Sequence, residues 1–600
     1  MTDIQRIPFY IEMGRDVLLA WAHLPNQPID HAVIICPPVG HEFINSYRGL
    51  RHFADGFARK GITTFRIEYQ GVGDSSGLDT DPNRIQKWLD SIEYAVSFIK
   101  KNCSIKRVSL FGLRMGGTLA AMVSQQLDLE VLACWVPVVE GRRYLREILA
   151  LQKTGENADQ DVDSTSLEGG GFLITRETMN DLMEISLPKV DVRAKHILLF
   201  SSNDLPTPTG LIEDWSARGF DFQHAELIGY ADMMTLPHHS KVPTQAITEI
   251  TDRILRTKIP AEKISFPDLT PYQQTRYDCY TYGLSAKESM DAGGGFPVTE
   301  CLCRIPNTPL FGILSLPLLR DAEHKPTILL LNAGSVHRIG PNRNYIYLTR
   351  QLLSLGFSVM RLDFFGLGDS LHPNPEKENN PYMPEAMDNT RQAIGFLKEN
   401  HGVTNVILTG FCSGAYASFQ AALHLEEESI HEIVPINPLT FYWKEGMSLD
   451  VAPAEYYSEW GEYRQSMWKK DRWLKMLKGK IDIQHVVSTV FNVIWLKLSA
   501  FFRPFLHRVM KLFGVRNIED LAWDLDIISK RGIKINFIFA DTDPGIKLLK
   551  EGAGKTVDKL RNRNILSISF IPKANHNFSS HLGRTRLLAK INEHFSKGYE

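Results

Sequence analysis

Two pentapeptides in this chain have the spacing of a nucleophile turn: Gly112-Leu113-Arg114-Met115-Gly116 and Gly410-Phe411-Cys412-Ser413-Gly414. Such a turn holds its central residue in a strained backbone between a strand and a helix, and the flanking glycines admit the close approach of neighbouring backbone. Cys412 places a thiol at the centre of the second turn. Its thiolate attacks carbonyl carbon, and an adjacent histidine can generate it. The first turn carries Arg114 instead. A guanidinium keeps its proton at neutral pH and cannot serve as a nucleophile.

A nucleophile of this kind is completed later in the chain by an acid and then a histidine. Residues 535–543 read as a strand running into Asp541 and Asp543, and residues 565–571 read as another strand followed by a loop with His576. His576 is the expected general base. Asp543 is the expected acid, because residues 199–204 of the first half match 538–543 and set Asp204 opposite Asp543. Asp541 is the alternative. The acid holds the imidazole in orientation and stabilises its charged form. An oxyanion hole needs backbone donors, expected here from the N–H groups of Ser413 and Ser335. In the first half the same register sets Asp232 at the base position, so Asp204 and Asp232 are expected to pair with Arg114 in an inactive site. Alternatively, Arg114 offers an anchor for a carboxylate or phosphate. His238 and His239 lie downstream and read as solvated.

The elements that must position these groups occur twice. Residues 33–77 and 328–370 align without a gap, with Gly61 on Gly356, Arg66 on Arg361, and Gly71-Val72-Gly73-Asp74-Ser75 on Gly366-Leu367-Gly368-Asp369-Ser370. Each copy reads as strand, Gly/Pro loop, amphipathic helix, strand, polar loop, long helix (about 83–101 and 384–400) and strand. Short apolar strands alternating with helices indicate a parallel sheet covered on both faces. A hairpin-like segment precedes each copy, at 7–24 and 297–316. This order fits the α/β-hydrolase layout, so the expected fold class is α/β with two tandem α/β-hydrolase domains, each a mostly parallel sheet flanked by helices with a cap insertion. The expected divisions are 1–255 with a degenerate site, a Pro- and Gly-punctuated linker at 256–295, and 296–600 with the cysteine.

The second domain's cap is expected at about 438–532 and is rich in aromatics, among them Phe441, Tyr442, Trp443, Tyr456, Tyr457, Trp460, Trp468 and Trp473. Residues 464–516 are dense in lysine and arginine, opposed only by Asp471 and Asp482. The stretch 468–478 reads as a basic amphipathic helix. It suits an anionic membrane surface as a peripheral contact, an acyl-CoA or acyl carrier protein, or simple packing on the core with solvated lysines. The first domain's own insertion, about 138–188, is shorter and polar.

With 600 residues, a net charge of −2 and 43% hydrophobic residues, the composition is that of an ordinary globular protein and gives no sign of a nucleic-acid partner. Seven cysteines at irregular spacing argue against a disulfide framework and for a reducing compartment. Cys301-Leu302-Cys303 stands without a second pair, which fits strand alternation better than zinc. No signal peptide or membrane span is read, so the expected location is cytoplasmic. No metal or cofactor is implied; Gly71-Val72-Gly73 and Gly366-Leu367-Gly368 are loop turns, not dinucleotide fingerprints.

At these residues the chain resembles the paired hydrolases associated with bacterial exosortase and exopolysaccharide systems. Gly112-Leu113-Arg114-Met115-Gly116, Tyr144-Leu145-Arg146-Glu147 and Gly170-Gly171-Phe172 resemble the arginine-elbow member, and Gly410-Phe411-Cys412-Ser413-Gly414-Ala415 resembles the cysteine-elbow member. Ser413 stands where that member is expected to carry an aspartate. Cysteine elbows on this fold are also similar to those of polyhydroxyalkanoate synthases, dienelactone hydrolases and some carrier-protein thioesterases. The resemblance implies acyl chemistry. Three readings follow: an acyltransferase or thioesterase working through an acyl-cysteine, an ester or lactone hydrolase at the same site, and a non-catalytic scaffold or binding protein.

Overall fold

The computed structural model describes residues 4–154, 166–279, 295–318, 325–426, 429–444, 447 and 519–599. The first sheet contains β1 (Gln5–Met13), β2 (Asp16–Leu24), β3 (His31–Cys36), β4 (Thr63–Ile67), β5 (Arg107–Leu113) and β6 (Val131–Trp135). A separate hairpin, β7 (Leu167–Gly169) and β8 (Phe172–Ile174), follows, and then β9 (His196–Ser202) and β10 (Phe222–Leu227) complete the sheet. The spatial order is β1-β2-β4-β3-β5-β6-β9-β10. From β4 to β10 all strands run parallel, while β1 and β2 form an antiparallel hairpin at the edge.

The second sheet repeats this plan with one added strand. It contains β11 (Gln274–Cys279), β12 (Phe296–Arg304), β13 (Phe311–Pro317), β14 (Thr327–Leu330), β15 (Val359–Asp363), β16 (Val406–Phe411), β17 (Ile430–Ile436), β18 (Lys534–Ala540) and β19 (Leu566–Ile571). The order is β11-β12-β13-β15-β14-β16-β17-β18-β19. Without β11, the two orders coincide strand for strand. β11 lies in the stretch expected as linker and pairs antiparallel with β12. Before β11, Phe266 packs against Phe65 and Tyr272 against Phe98 of the first domain.

The central strands are buried along their whole length because helices cover both faces. β3, β4, β6 and β14 have no exposed residue. The long helices of the two copies span Arg84–Asn102 and Ala386–His401. In the second domain, the helix Leu521–Lys530 closes the described part of the cap region. The basic segment 468–478 and most of the aromatic residues expected in the cap lie outside the described residues. Among the described residues, no helix is long and apolar enough to cross a membrane.

The two halves pack face to face through the loops that repeat. Arg66 of β4 pairs with Asp369, and its counterpart Arg361 of β15 pairs with Asp74. Because Arg66 corresponds to Arg361 and Asp74 to Asp369, the contact is reciprocal, as in a two-fold symmetric dimer. Arg338 lies between them with no exposed surface, 2.7–2.8 Å from Asp74, Asp363 and Asp369. Tyr47 donates to Asp369, and Arg343 donates to the carbonyls of Gly73, Ser75 and Gly77. Buried charges are tolerated only when paired in this way.

Candidate active site

Cys412 follows β16 and begins the helix Ser413–His424. Its φ of 53° lies in the left-handed region that a non-glycine residue adopts only under constraint. Two crowded glycines impose it. A Cβ on Gly410 would meet Leu331 O at 2.7 Å, and one on Gly414 would meet the same oxygen at 2.4 Å. Gly414→Ala is therefore expected to displace β14 from the elbow. The soluble yield or unfolding midpoint should fall, and alkylation of Cys412 by iodoacetamide should change rate; wild-type behaviour in both would disprove the crowding argument.

His576 lies in the loop after β19, and Asp543 follows β18. Nδ1 of His576 is 2.6 Å from Oδ2 of Asp543. The other carboxylate oxygen of Asp543 accepts the Gly545 N–H at 2.8 Å, so the acid is buried and fixed. Asp541, the alternative acid, is exposed and accepts the N–H of Lys573 at 3.2 Å. Burial alone would make His576 less basic. The hydrogen bond to Asp543, followed by the neighbouring Cys412 sulfur, outweighs burial and raises its pKa to about 10. Nε2 of His576 is buried and has no hydrogen-bond partner among the described residues.

Asn437 anchors the histidine loop. It donates to the His576 carbonyl at 2.7 Å and accepts the Ala540 N–H at 2.8 Å. Asn344 donates to the carbonyls of Asn577 and Phe578. Arg584 donates to Asn344 Oδ1 at 2.8 Å and, across the domain boundary, to Gly171 O in the β7–β8 turn at 2.7 Å. The first domain thereby braces the loop that holds His576. Sequence reasoning missed these residues, since a supporting asparagine or arginine has no motif of its own.

The predicted oxyanion donors are close to the elbow but are arranged differently from a pair of bare amides. The Ser413 hydroxyl accepts the Gly334 N–H at 2.8 Å and donates to Asn332 O at 3.2 Å, tying the Asn332–Ser335 loop to the helix start. The Ser335 hydroxyl donates to Asn379 O. The N–H groups of Ser413 and Ser335 enter no hydrogen bond among the described residues. Tyr382 was also missed by sequence. Its hydroxyl is 3.7 Å from Cys412 Sγ, and its ring stacks on Trp443 at 4.1 Å and meets Tyr416 edge-on. The thiol thus faces an aromatic wall.

At the first elbow, Arg114 has the same backbone as Cys412, with φ again 53°. The expectation that Asp204 and Asp232 pair with it is wrong. Arg114 Nε donates to Glu42 and Nη2 to Glu147, both at 2.6 Å. Asp204 instead accepts the Ala231 N–H and the Ser202 hydroxyl, both at 3.1 Å, and Asp232 is exposed and pairs with Lys241. Asp232 points away because Tyr230, two residues earlier, takes the inward position beside Arg114. The two glutamates pair with both edges of the guanidinium, so it is not an open anion anchor either.

Residues 27–156 match the family described as serine aminopeptidase, S33. The two sheet orders and this match are consistent with two α/β-hydrolase-like domains. Among solved structures, the chain is similar to Est1E from Butyrivibrio proteoclasticus, with 16% identity, 42% of this chain and 98% of that one covered, and a TM-score of 0.31. It is also similar to an alpha-beta serine hydrolase homologue from Coxiella burnetii, with 12% identity, 43% and 99% covered, and a TM-score of 0.28. Dienelactone hydrolase from Anabaena variabilis has 12% identity, 49% and 93% covered, and a TM-score of 0.29. No curated protein matches the chain.

Proposed function

We propose that the second domain is an acyl-transferring hydrolase in which Cys412 carries the acyl group. The observation that carries this reading is the His576–Asp543 contact at 2.6 Å beside a cysteine on a strained elbow. The attacking species is the Cys412 thiolate, and the imidazolium of His576, which holds its proton through neutral pH, stabilises that charge. The thiolate attacks the carbonyl carbon of a thioester, and the N–H groups of Ser413 and Ser335 receive the oxyanion. Collapse breaks the bond to the leaving thiolate, which takes the proton from His576 Nε2. Acyl-Cys412 remains beside a neutral imidazole. Water, an alcohol or an amine then attacks and gives its proton to His576, and collapse restores the thiolate–imidazolium pair. Thioester donors suit this site because attacking and leaving groups are both thiols. Activated esters and lactones react through the same steps with an oxygen leaving group, which is the hydrolase reading. Acyl-CoA and acyl carrier protein are the proposed donors.

Intact-protein mass spectrometry tests the reading. Wild type incubated with acyl-CoAs of increasing chain length, and separately with p-nitrophenyl esters, should gain the mass of one acyl group. Cys412→Ser should lose that fast adduct. An adduct from esters alone would favour the esterase reading, and no adduct from either series would leave a binding protein.

A further inference from the structure

A large cavity among the described residues is in the first domain, over the inert elbow. It encloses about 670 Å³, within the range of small-molecule sites. Arg114 is at its base, and Tyr144, Tyr230, Leu205, Leu211 and Met234 supply much of its wall. An α/β-hydrolase domain that had lost its chemistry and its ligand would be expected to fill this space with side chains, since interiors close-pack.

The charges lining the cavity select its ligand. Three carboxylates, those of Glu42, Glu140 and Glu147, face two guanidinium groups, those of Arg114 and Arg143. Arg114 is held by Glu42 and Glu147, and Arg143 approaches Glu147 at 3.6 Å. An anion entering here would meet cations already neutralised. Glu42 keeps its second oxygen, Oε2, buried and without a hydrogen-bond partner among the described residues. A small turn of that carboxylate presents an acceptor to the cavity. The phenol of Tyr230 is protonated, because burial raises its pKa, and Tyr144 is the same. Both phenols line the cavity, and neither hydroxyl makes a hydrogen bond among the described residues.

We propose that this cavity is a binding site for a small molecule with an apolar body and a hydroxyl or ammonium head, docked with the head toward Glu42 beside Arg114. The recognised chemistry is a hydrogen-bond donor on an apolar frame. A carboxylate or phosphate of the same frame is rejected. The site is separate from Cys412 and does not depend on its chemistry.

Phenethyl alcohol, phenethylamine and phenylacetate form a matched probe series for titration calorimetry on the full chain. The alcohol, the amine or both should bind, and phenylacetate should bind at least about tenfold more weakly. The alcohol and amine arms distinguish a neutral from a cationic head. Glu42→Gln should weaken amine binding by about tenfold. Because that change also touches Arg114, a second variant guards against misfolding: Gly210 lines the cavity, and a Cβ there meets no atom within 4 Å. Gly210→Trp should therefore fold normally and abolish binding by filling the space. Equal binding of phenylacetate, binding unchanged in Gly210→Trp, or no binding of any probe at millimolar concentration would overturn the proposal.

Discussion

Arg338→Met should destabilise the folded chain by about 3–5 kcal/mol, the cost of removing one partner from a buried ion-pair cluster. Arg338 is fully buried and stands within 2.8 Å of Asp74, Asp363 and Asp369. Without it, Asp369 keeps Arg66 and Asp74 keeps Arg361, but Asp363 loses its one cationic partner among the described residues. Burial already pushes the Asp363 carboxyl upward, and Arg338 is the largest opposing influence. In the variant its folded pKa rises further above the unfolded value. A carboxyl shifted in that direction favours the folded state below its unfolded pKa and loses that contribution as pH rises through the folded one. The destabilisation should therefore be greatest in alkaline solution and smaller toward pH 5. Urea unfolding measures it, and Asp363→Asn in the Arg338→Met background should recover part of the loss. A midpoint change worth less than about 1 kcal/mol would mean that the contacts of Arg338 do not hold the two halves together.

The same cluster shows where the sequence stops being informative. The Gly-x-Gly-Asp-Ser repeat is visible as a pattern, and it reads as a loop turn. Only packing shows that Asp74 and Asp369 each reach across to the other domain's arginine. The elbows were legible because their glycines are forced by backbone contacts between elements adjacent in every copy of the fold. Asp543 was separable from Asp541 because the chain contains its own second copy for alignment. Once folded, the reason is geometric: Asp543 is buried with its oxygens on His576 and Gly545, while Asp541 faces solvent. The partners of Arg114 were not legible. Glu42 comes from the start of the helix after β3 and Glu147 from the insertion helix Gly141–Thr154. No periodicity links them, although Glu147 stands in the segment Tyr144-Leu145-Arg146-Glu147. Tyr382 lies in an irregular loop, and its place beside Cys412 follows from the path of that loop rather than from any local pattern.

His576→Gln should slow acylation of Cys412 by roughly 10²–10⁴-fold, the usual worth of a positioned proton-transfer group. Glutamine keeps a polar side chain near Asp543 but cannot carry the proton that the leaving thiolate needs. Asp543→Asn separates orientation from charge. Burial is the largest single influence on His576 and makes it less basic; the hydrogen bond to Asp543 is the largest influence opposing it, and together with the Cys412 sulfur it outweighs burial. With asparagine in place the balance shifts toward burial, and His576 gives up its proton more readily. The thiolate then lacks its cationic neighbour, and iodoacetamide should alkylate Cys412 more slowly at pH 7 than in wild type, with the two rates converging in alkaline solution. The stability effect has a defined sign. A histidine raised from 6.5 to about 10 stabilises the fold fully below pH 6.5, and that contribution is lost as pH rises through 10. The stability gap between wild type and Asp543→Asn should accordingly be widest near pH 6 and close above pH 10. Superimposable alkylation profiles would show that Asp543 merely packs against the ring. In that case the 2.6 Å contact would be structural, and Cys412 would be an ordinary half-buried thiol at a vestigial elbow.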